Sequence, residues 1–390
     1  MIKVVEYLVA GAIVGLAYQM IKRDPLDCKE VRAIHEIFEE CRFKNSKNQS
    51  AYVYKVIDKD SYKEFYINIP IGKSVSDLNK CLGAITTYFR NDVTIGQTQS
   101  EIYIKVYTRY LQDYCPYRTH LVDKSKGLCV VLGMCRDGVL TKTLSTDPHL
   151  SVIGATGSGK STYVNALLCQ LIENYTSDEL ELILLDLKGN ELNEYKDLYH
   201  TKYHTTDRDE VVSYFQTLQT EMIERYKKLA NHRNIQSYNK ANPTDQLKYQ
   251  FVVVEECYSL IGNKKAWNLL GDILSKARAC GIHILLTTQR PTAEVIPALV
   301  TTHLGIRVGL KVNKKQESLN AIDMEGLERL TAHGSGIINL SGNYERIQGF
   351  YISDKQIEQI TSKYREKKQT QSKPKKAQKD EPKKPTSLFI

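Results

Sequence analysis

An α/β fold is predicted for this chain, with a parallel sheet wound by crossover helices. Two observations carry that expectation. Apolar runs recur at 150–153, 180–186, 250–254, 282–287 and 304–310 with helical stretches between them, the pattern of strands alternating with helices. A glycine-rich turn at 154–161 joins the first run to a helix at Thr162–Ile172. Charged residues make up 25% of the 390 and hydrophobic ones 42%, which excludes a disordered, collagen-like or many-span membrane chain.

Taken in order, residues 1–23 are read as a membrane anchor helix. Val4–Ile21 carries one charge, Glu6, and a helix of that length reaches about 27 Å, slightly short of the roughly 30 Å hydrocarbon layer. Lys22 and Arg23 follow, which favours a cytoplasmic C-terminal side and a single pass through the membrane. The other reading is a buried or interfacial helix. Gly11 and Gly15 stand at a spacing that can pair membrane helices.

Residues 24–145 read as a small α+β domain without marked chemistry. Val31, Ile34, Ile37, Phe38 and Cys41 predict a helix over Cys28–Arg42, and Ala51–Ile57, Glu64–Ile69 and Ile102–Tyr107 read as strands. Ser76 is expected to cap a helix that carries Leu78, Leu82, Ile85 and Phe89 on one face. A larger α/β unit spans 146–360, and 361–390 reads as a disordered basic tail. Between Lys363 and Lys384 ten Lys/Arg face three acids, giving +7 of the chain's net +9. The body is therefore not globally basic, and any nucleic-acid contact there depends on local placement. The tail could hold DNA or an anionic membrane, or simply be solvated. The nine cysteines show no C-x-x-C spacing, so reduced thiols are expected, with neither a disulfide frame nor a structural zinc.

Gly154, Ala155, Thr156, Gly157, Ser158, Gly159, Lys160 and Ser161, followed by Thr162, fit G-x-x-x-x-G-K-[ST] between a strand and a helix. Glycines there let backbone N–H groups turn in around phosphates, and the helix N-terminus adds its positive end. Lys160 would reach the β/γ-phosphates of ATP and Ser161 would ligate Mg²⁺. The run Tyr249–Val254 ends in two carboxylates, Glu255 and Glu256. Neighbouring strand residues point to opposite faces, so Glu255 is assigned to Mg²⁺ and Glu256 to the attacking water. Gln289, beyond the strand Gly281–Leu286, is placed to sense the γ-phosphate because its amide both donates and accepts.

Together these motifs resemble the FtsK/SpoIIIE branch of the HerA–FtsK motor ATPases. The likeness runs from His149 to about Ser353 and is carried by four stretches: the phosphate-loop region, ILLDLKGNELNEYKDL (183–198), EMIERYKKLANHRNIQSYN (221–239) and LSKARACGIHILLTTQRPTAEVIPALV (274–300). The stretch 69–82 is loosely similar to the small α/β domain that precedes the motor in that family. The resemblance implies a RecA-like core, a hexameric ring and ATP-driven movement of double-stranded DNA. It also places Lys264 and Lys265 in a channel loop as DNA contacts, unless they are ordinary exposed lysines.

The departures bear on mechanism. The family has Asp then Glu where this chain has Glu255 and Glu256, one methylene longer at a site where Mg²⁺ wants tight octahedral geometry. Leu319 stands where the family carries an Arg. Arg307, or else Arg278 or Arg329, is the candidate to act on a neighbouring subunit's ATP. No folded DNA reader is expected after the motor. A short anchor, a compact motor and a basic tail resemble the coupling ATPases of conjugative and other mobile elements, with a relaxase or transfer-channel protein as partner. The alternatives are a protein-export ATPase of the same branch and a membrane-tethered nucleotide-dependent assembly factor with little turnover.

Overall fold

The computed structural model describes residues 26–365, apart from 92, 99, 109–110 and 293–294. The expected anchor and the tail beyond 365 lie outside these residues. Among those described, no helix is long and apolar enough to cross a membrane.

The N-terminal unit is built from α1 (Lys29–Glu40), β1 (Tyr52–Asp58), β2 (Tyr62–Asn68), α2 (Val75–Phe89), β3 (Val93–Gln97) and β4 (Ile102–Tyr107). The strands pair antiparallel in the order β1–β2–β4–β3. The helices cover one face of the sheet, burying Ile34, Phe38, Phe65, Leu78, Ile85 and Ile104 in one core. The cap of α2 is Ser74 rather than Ser76. Its side chain accepts from the Asp77 amide while Asp77 accepts from the Ser74 amide, a reciprocal arrangement that satisfies two otherwise orphaned donors.

The remaining strands are β5 (Cys115–Pro116), β6 (Cys129–Cys135), β7 (Gly138–Thr143), β8 (Leu150–Ile153), β9 (Leu180–Asp186), β10 (Thr201–Thr205), β11 (Tyr249–Glu255), β12 (Ile282–Thr288), β13 (Ile306–Leu310), β14 (Ser335–Leu340), β15 (Asn343–Gln348) and β16 (Phe350–Tyr351). Ten of them form one sheet in the order β10–β9–β11–β12–β8–β13–β14–β15–β6–β7. The run from β10 to β13 is parallel, as expected, but β14, β15, β6 and β7 add antiparallel. The sheet is therefore mixed. The hairpin β6–β7, expected with the small domain, belongs to this large sheet.

Both faces of the parallel part are buried, which is why its strands read as unbroken apolar runs. Leu182, Leu184, Phe251, Val253 and Leu285 face the helix α3 (Lys160–Asn174) through its Val164, Leu167, Leu168 and Leu171. Their sequence neighbours Ile183, Leu185, Val252, Val254, Ile284 and Leu286 face α4 (Arg208–Lys228) and α6 (Lys264–Lys276), which contribute Phe215, Leu218, Trp267 and Leu270. A short helix α5 (Ile235–Ala241) precedes β11, and α7 (Ala298–Thr301), α8 (Lys315–Ile322) and α9 (Asp354–Thr361) complete the unit. After α9 the chain still packs. Tyr364 meets His200 with ring centroids 5.4 Å apart, and Arg365 pairs with Glu194, so order extends past the expected onset of the tail. All nine cysteines are unbridged.

Candidate nucleotide site

In the large sheet β11 and β12 insert between β8 and β9, so loops from several parallel strands converge beside the tip of β8. Ligands of open α/β sheets bind outside such carboxyl ends. Gly154–Gly159 leave that tip and α3 starts at Lys160. Gly157 and Gly159 have φ of 79° and 94°, a region that side chains resist. At Gly159 a Cβ would also stand 2.6 Å from the amide nitrogen of Gly334. That approach is needed because the Gly334 amide donates to the Ser158 carbonyl at 2.8 Å. The first N–H groups of α3 have no acceptor within the helix and are left for an anion.

The loop opens on a cavity of about 410 Å³ lined by Thr156, Lys160, Ser161, Lys188, Gln289 and, from later in the chain, His333, Gly334, Phe350 and Tyr351. Thr156 donates to the Gln289 side-chain oxygen at 2.9 Å, which ties the loop to the tip of β12. Lys160 is buried and paired with the equally buried Glu255. The other Glu255 oxygen accepts from Thr287 at 2.6 Å, and the same Thr287 hydroxyl accepts the Glu256 amide at 3.0 Å. Glu256 has φ 57°, a left-handed kink that ends the strand. Its carboxylate accepts from the Thr288 hydroxyl at 2.9 Å and from the Gln289 amide at 3.3 Å.

The structure thus brings together Thr156, Lys160, Ser161, Glu255, Glu256 and Gln289. Arg307 is not among them. It sits on β13 paired with Asp323. Arg278 donates to the Ser145 carbonyl at 2.6 Å and Arg329 lies 3.2 Å from Glu328, and neither lines the cavity of its own chain. Lys264 and Lys265 are exposed but occupy the first turn of α6, capped by Asn263, rather than a loop.

Three contributors were not assigned from the residues alone. Thr287 looked like the last residue of an apolar strand. The wall at His333–Gly334 and Phe350–Tyr351 comes from segments far along the chain with no recognisable motif. Lys188 and Glu191 lie in a stretch noticed only through resemblance. A signal for the last two existed: charged residues two and five positions beyond the end of an apolar strand, in a short loop that contains a glycine.

For Mg²⁺ the donor chemistry fits. The Ser161 hydroxyl and Glu255 carboxylate flank Lys160, and both are hard oxygen donors of the kind this ion takes while keeping several waters. Among the described residues no three His, Cys, Asp or Glu side chains form a metal cage, so such an ion would be held jointly with nucleotide phosphates.

A glycine-rich strand-to-helix loop with its lysine at the tip of a parallel sheet, facing an acidic strand end, defines a P-loop nucleotide-binding protein. A sequence model of the FtsK/SpoIIIE family matches residues 118–341, more than half the chain and inclusive of the β6–β7 hairpin. The chain belongs to the FtsK/SpoIIIE family of P-loop ATPases.

Among curated relatives, DNA translocase FtsK of Clostridium tetani is 32% identical over 255 residues, 62% of this chain and 34% of the relative. DNA translocase SftA of Bacillus subtilis is 32% identical over 229 residues, 56% of this chain and 24% of the relative. The chain thus spans about a third or less of the length of these relatives. Among solved structures, the pCW3 conjugation coupling protein TcpA, in a monomer form with ATPγS, has a TM-score of 0.60 at 22% identity over 86% of this chain and 99% of that one. The cytoplasmic domain of the type VII secretion ATPase EccC of Thermomonospora curvata has a TM-score of 0.56 at 24% identity, over 62% of this chain and 31% of that one. At these identities the likeness concerns the fold.

Proposed function

We propose that this protein is an ATP-driven motor that moves double-stranded DNA as a ring of subunits, probing DNA through phosphate contacts and serving the transfer of a conjugative or other mobile element. The observation that carries the reading is the convergence of Lys160, Ser161 and Gln289 on one cavity, with the buried Glu255 paired to Lys160 behind it, in a family whose curated relatives are DNA translocases. The likeness in fold to a conjugation coupling protein over 86% of the chain supports the transfer role. In this reading Val4–Ile21 anchors the ring in the membrane, and a relaxase or channel protein meets it there. Lys264 and Lys265, exposed at the start of α6, contact DNA phosphates. Such contacts are sequence-neutral and salt-sensitive. The cation that completes a neighbour's ATP site comes from Arg307 or another arginine, since Leu319 cannot supply it.

Before ATP can be held productively, Lys160 must exchange Glu255 for phosphate. Mg²⁺ bound at Ser161 and Glu255 would neutralise phosphate charge, while Glu256 and Gln289 stand at the adjoining strand tips to orient water. The test is ATP hydrolysis by the full chain with and without linear duplex DNA, at low and moderate salt. A several-fold rise with duplex, suppressed by salt and absent in Lys160→Ala, is expected. ATP binding without any DNA response would overturn the motor reading in favour of a nucleotide-dependent assembly factor, for which the closed Lys160–Glu255 pair is the favouring observation. Stimulation by polypeptide alone would point instead to protein export.

A further inference from the structure

The loop after β9 is held in one shape by a buried carboxylate. Asp186 is fully buried, and its two oxygens accept from the amides of Lys188 at 3.2 Å, Gly189 at 2.9 Å and Leu192 at 3.0 Å. Its acceptors are occupied by the chain's own backbone, so Asp186 shapes the loop and is not free for a ligand. The loop also starts against the acidic strand, because the Leu187 amide donates to the Glu255 carbonyl at 3.2 Å. The consequence is placement. Lys188 lines the cavity beside Lys160, Ser161 and Gln289, and its ammonium is paired with Glu191.

Glu191 is itself part of this corner. Its carboxylate accepts from the Lys188 ammonium and from the Ser161 hydroxyl. Two Lys–Glu pairs therefore stand side by side at the phosphate end, Lys160 with Glu255 and Lys188 with Glu191. Counting Glu256, three carboxylates face two ammonium groups. Without Lys188 the corner would carry two uncompensated negative charges where the most anionic part of ATP must enter, and like charges that close repel strongly outside bulk water.

Resting on the P-loop ATPase reading, we propose that Lys188 is a second cation for the terminal phosphate of bound nucleotide, and that Glu191 is the positioning residue that holds it toward the cavity. The loop 187–192 then distinguishes a nucleotide with three phosphates from one with two. Lys160 serves both kinds, because a P-loop lysine reaches the β-phosphate as well.

The test is titration calorimetry of the full chain with Mg²⁺–ATPγS and with Mg²⁺–ADP. Losing a charge-assisted contact to the terminal phosphate should weaken ATPγS binding by about tenfold or more. Lys188→Ala is expected to show that loss with ADP affinity changed less than about twofold, and Lys188→Arg to recover most of it. Glu191→Gln should lose part of the same selectivity, whereas a merely structural role would weaken both nucleotides alike. Lys188 is partly exposed, and an unchanged melting temperature verifies that the variants fold. Equal effects on the two nucleotides, or none, in a protein whose wild type binds ATPγS would overturn the proposal and leave the ATP site standing. Binding that survives Lys160→Ala unchanged would overturn the ATP-site reading and the proposal together.

Discussion

The two sheets of this molecule solve the burial problem differently. The parallel part of the large sheet is covered on both faces, so β9, β11 and β12 each carry an unbroken apolar run, Leu182–Leu185, Phe251–Val254 and Ile284–Leu286. The small sheet carries its helices on one face only. Phe65 and Ile104 pair across β2 and β4 toward the helices, while the alternate pairs Tyr62–Tyr107, Glu64–Lys105 and Tyr66–Tyr103 form the other face. There the polar groups bind one another. Lys105 lies 3.7 Å from the Tyr62 ring centroid and 2.7 Å from Asp137 of the β6–β7 hairpin, so this face also docks the small unit on the large one. Chemistry collects where a doubly covered sheet has nowhere to put charge except its strand tips, as with Glu255, Glu256 and Lys188. A singly covered sheet spreads its polar groups over a face.

That contrast can be broken by equal insults to the two cores. Phe251→Ala and Phe65→Ala each remove a fully buried ring, at a cost of about 3–5 kcal/mol. Phe251→Ala should lower the main melting transition and weaken ATPγS binding together. Phe65→Ala should unfold the small unit early, seen as protease sensitivity within residues 26–107, yet leave nucleotide affinity unchanged, since every residue lining the cavity lies between 155 and 351. Nucleotide loss in Phe65→Ala would show that the two units are energetically one.

Acid should sharpen the difference. Burial pushes the His149 and His283 imidazoles in the large unit down, His283 to about 4. The unfolded chain takes up these protons below its ordinary value near 6.5. Their stabilising contribution is thus complete above about pH 6.5 and is lost as pH falls toward 4. In the small unit burial lowers His35 alone. Melting followed between pH 7 and 4.5 should therefore fall more steeply for the nucleotide-binding unit, and His283→Gln should flatten that fall. The smallest effect is at the cap. Ser74→Ala should cost about 1 kcal/mol, confined to the small unit, while Ser76→Ala should cost less than about 0.5 kcal/mol. Equal losses would return the cap to Ser76.

Much of the fold was legible because its signals are local. The apolar runs at 150–153 and 180–186 coincide with β8 and β9, and the glycine loop with its lysine declared the phosphate site. The strand at 201–205 was missed because Thr-Lys-Tyr-His-Thr, at the sheet edge, has no apolar period. The hairpin β6–β7 was assigned to the wrong unit for another reason. Its strand pattern is the same whichever sheet it joins, and its connection to the large sheet runs through β15, some two hundred residues later.

By itself the sequence determined the strand–helix alternation, the phosphate loop and the acidic strand tip, since each depends on residues within one turn or one strand of each other. Only the tertiary structure decided the sheet order, the pairing of Lys160 with Glu255, the seating of Lys188 and Glu191 at the same corner, and the part of the cavity lining that comes from His333–Gly334 and Phe350–Tyr351. Hydrophobic period tells a strand which face to bury. It carries no information about which distant strand will lie beside it, and that choice sets what the loops at its tip can touch.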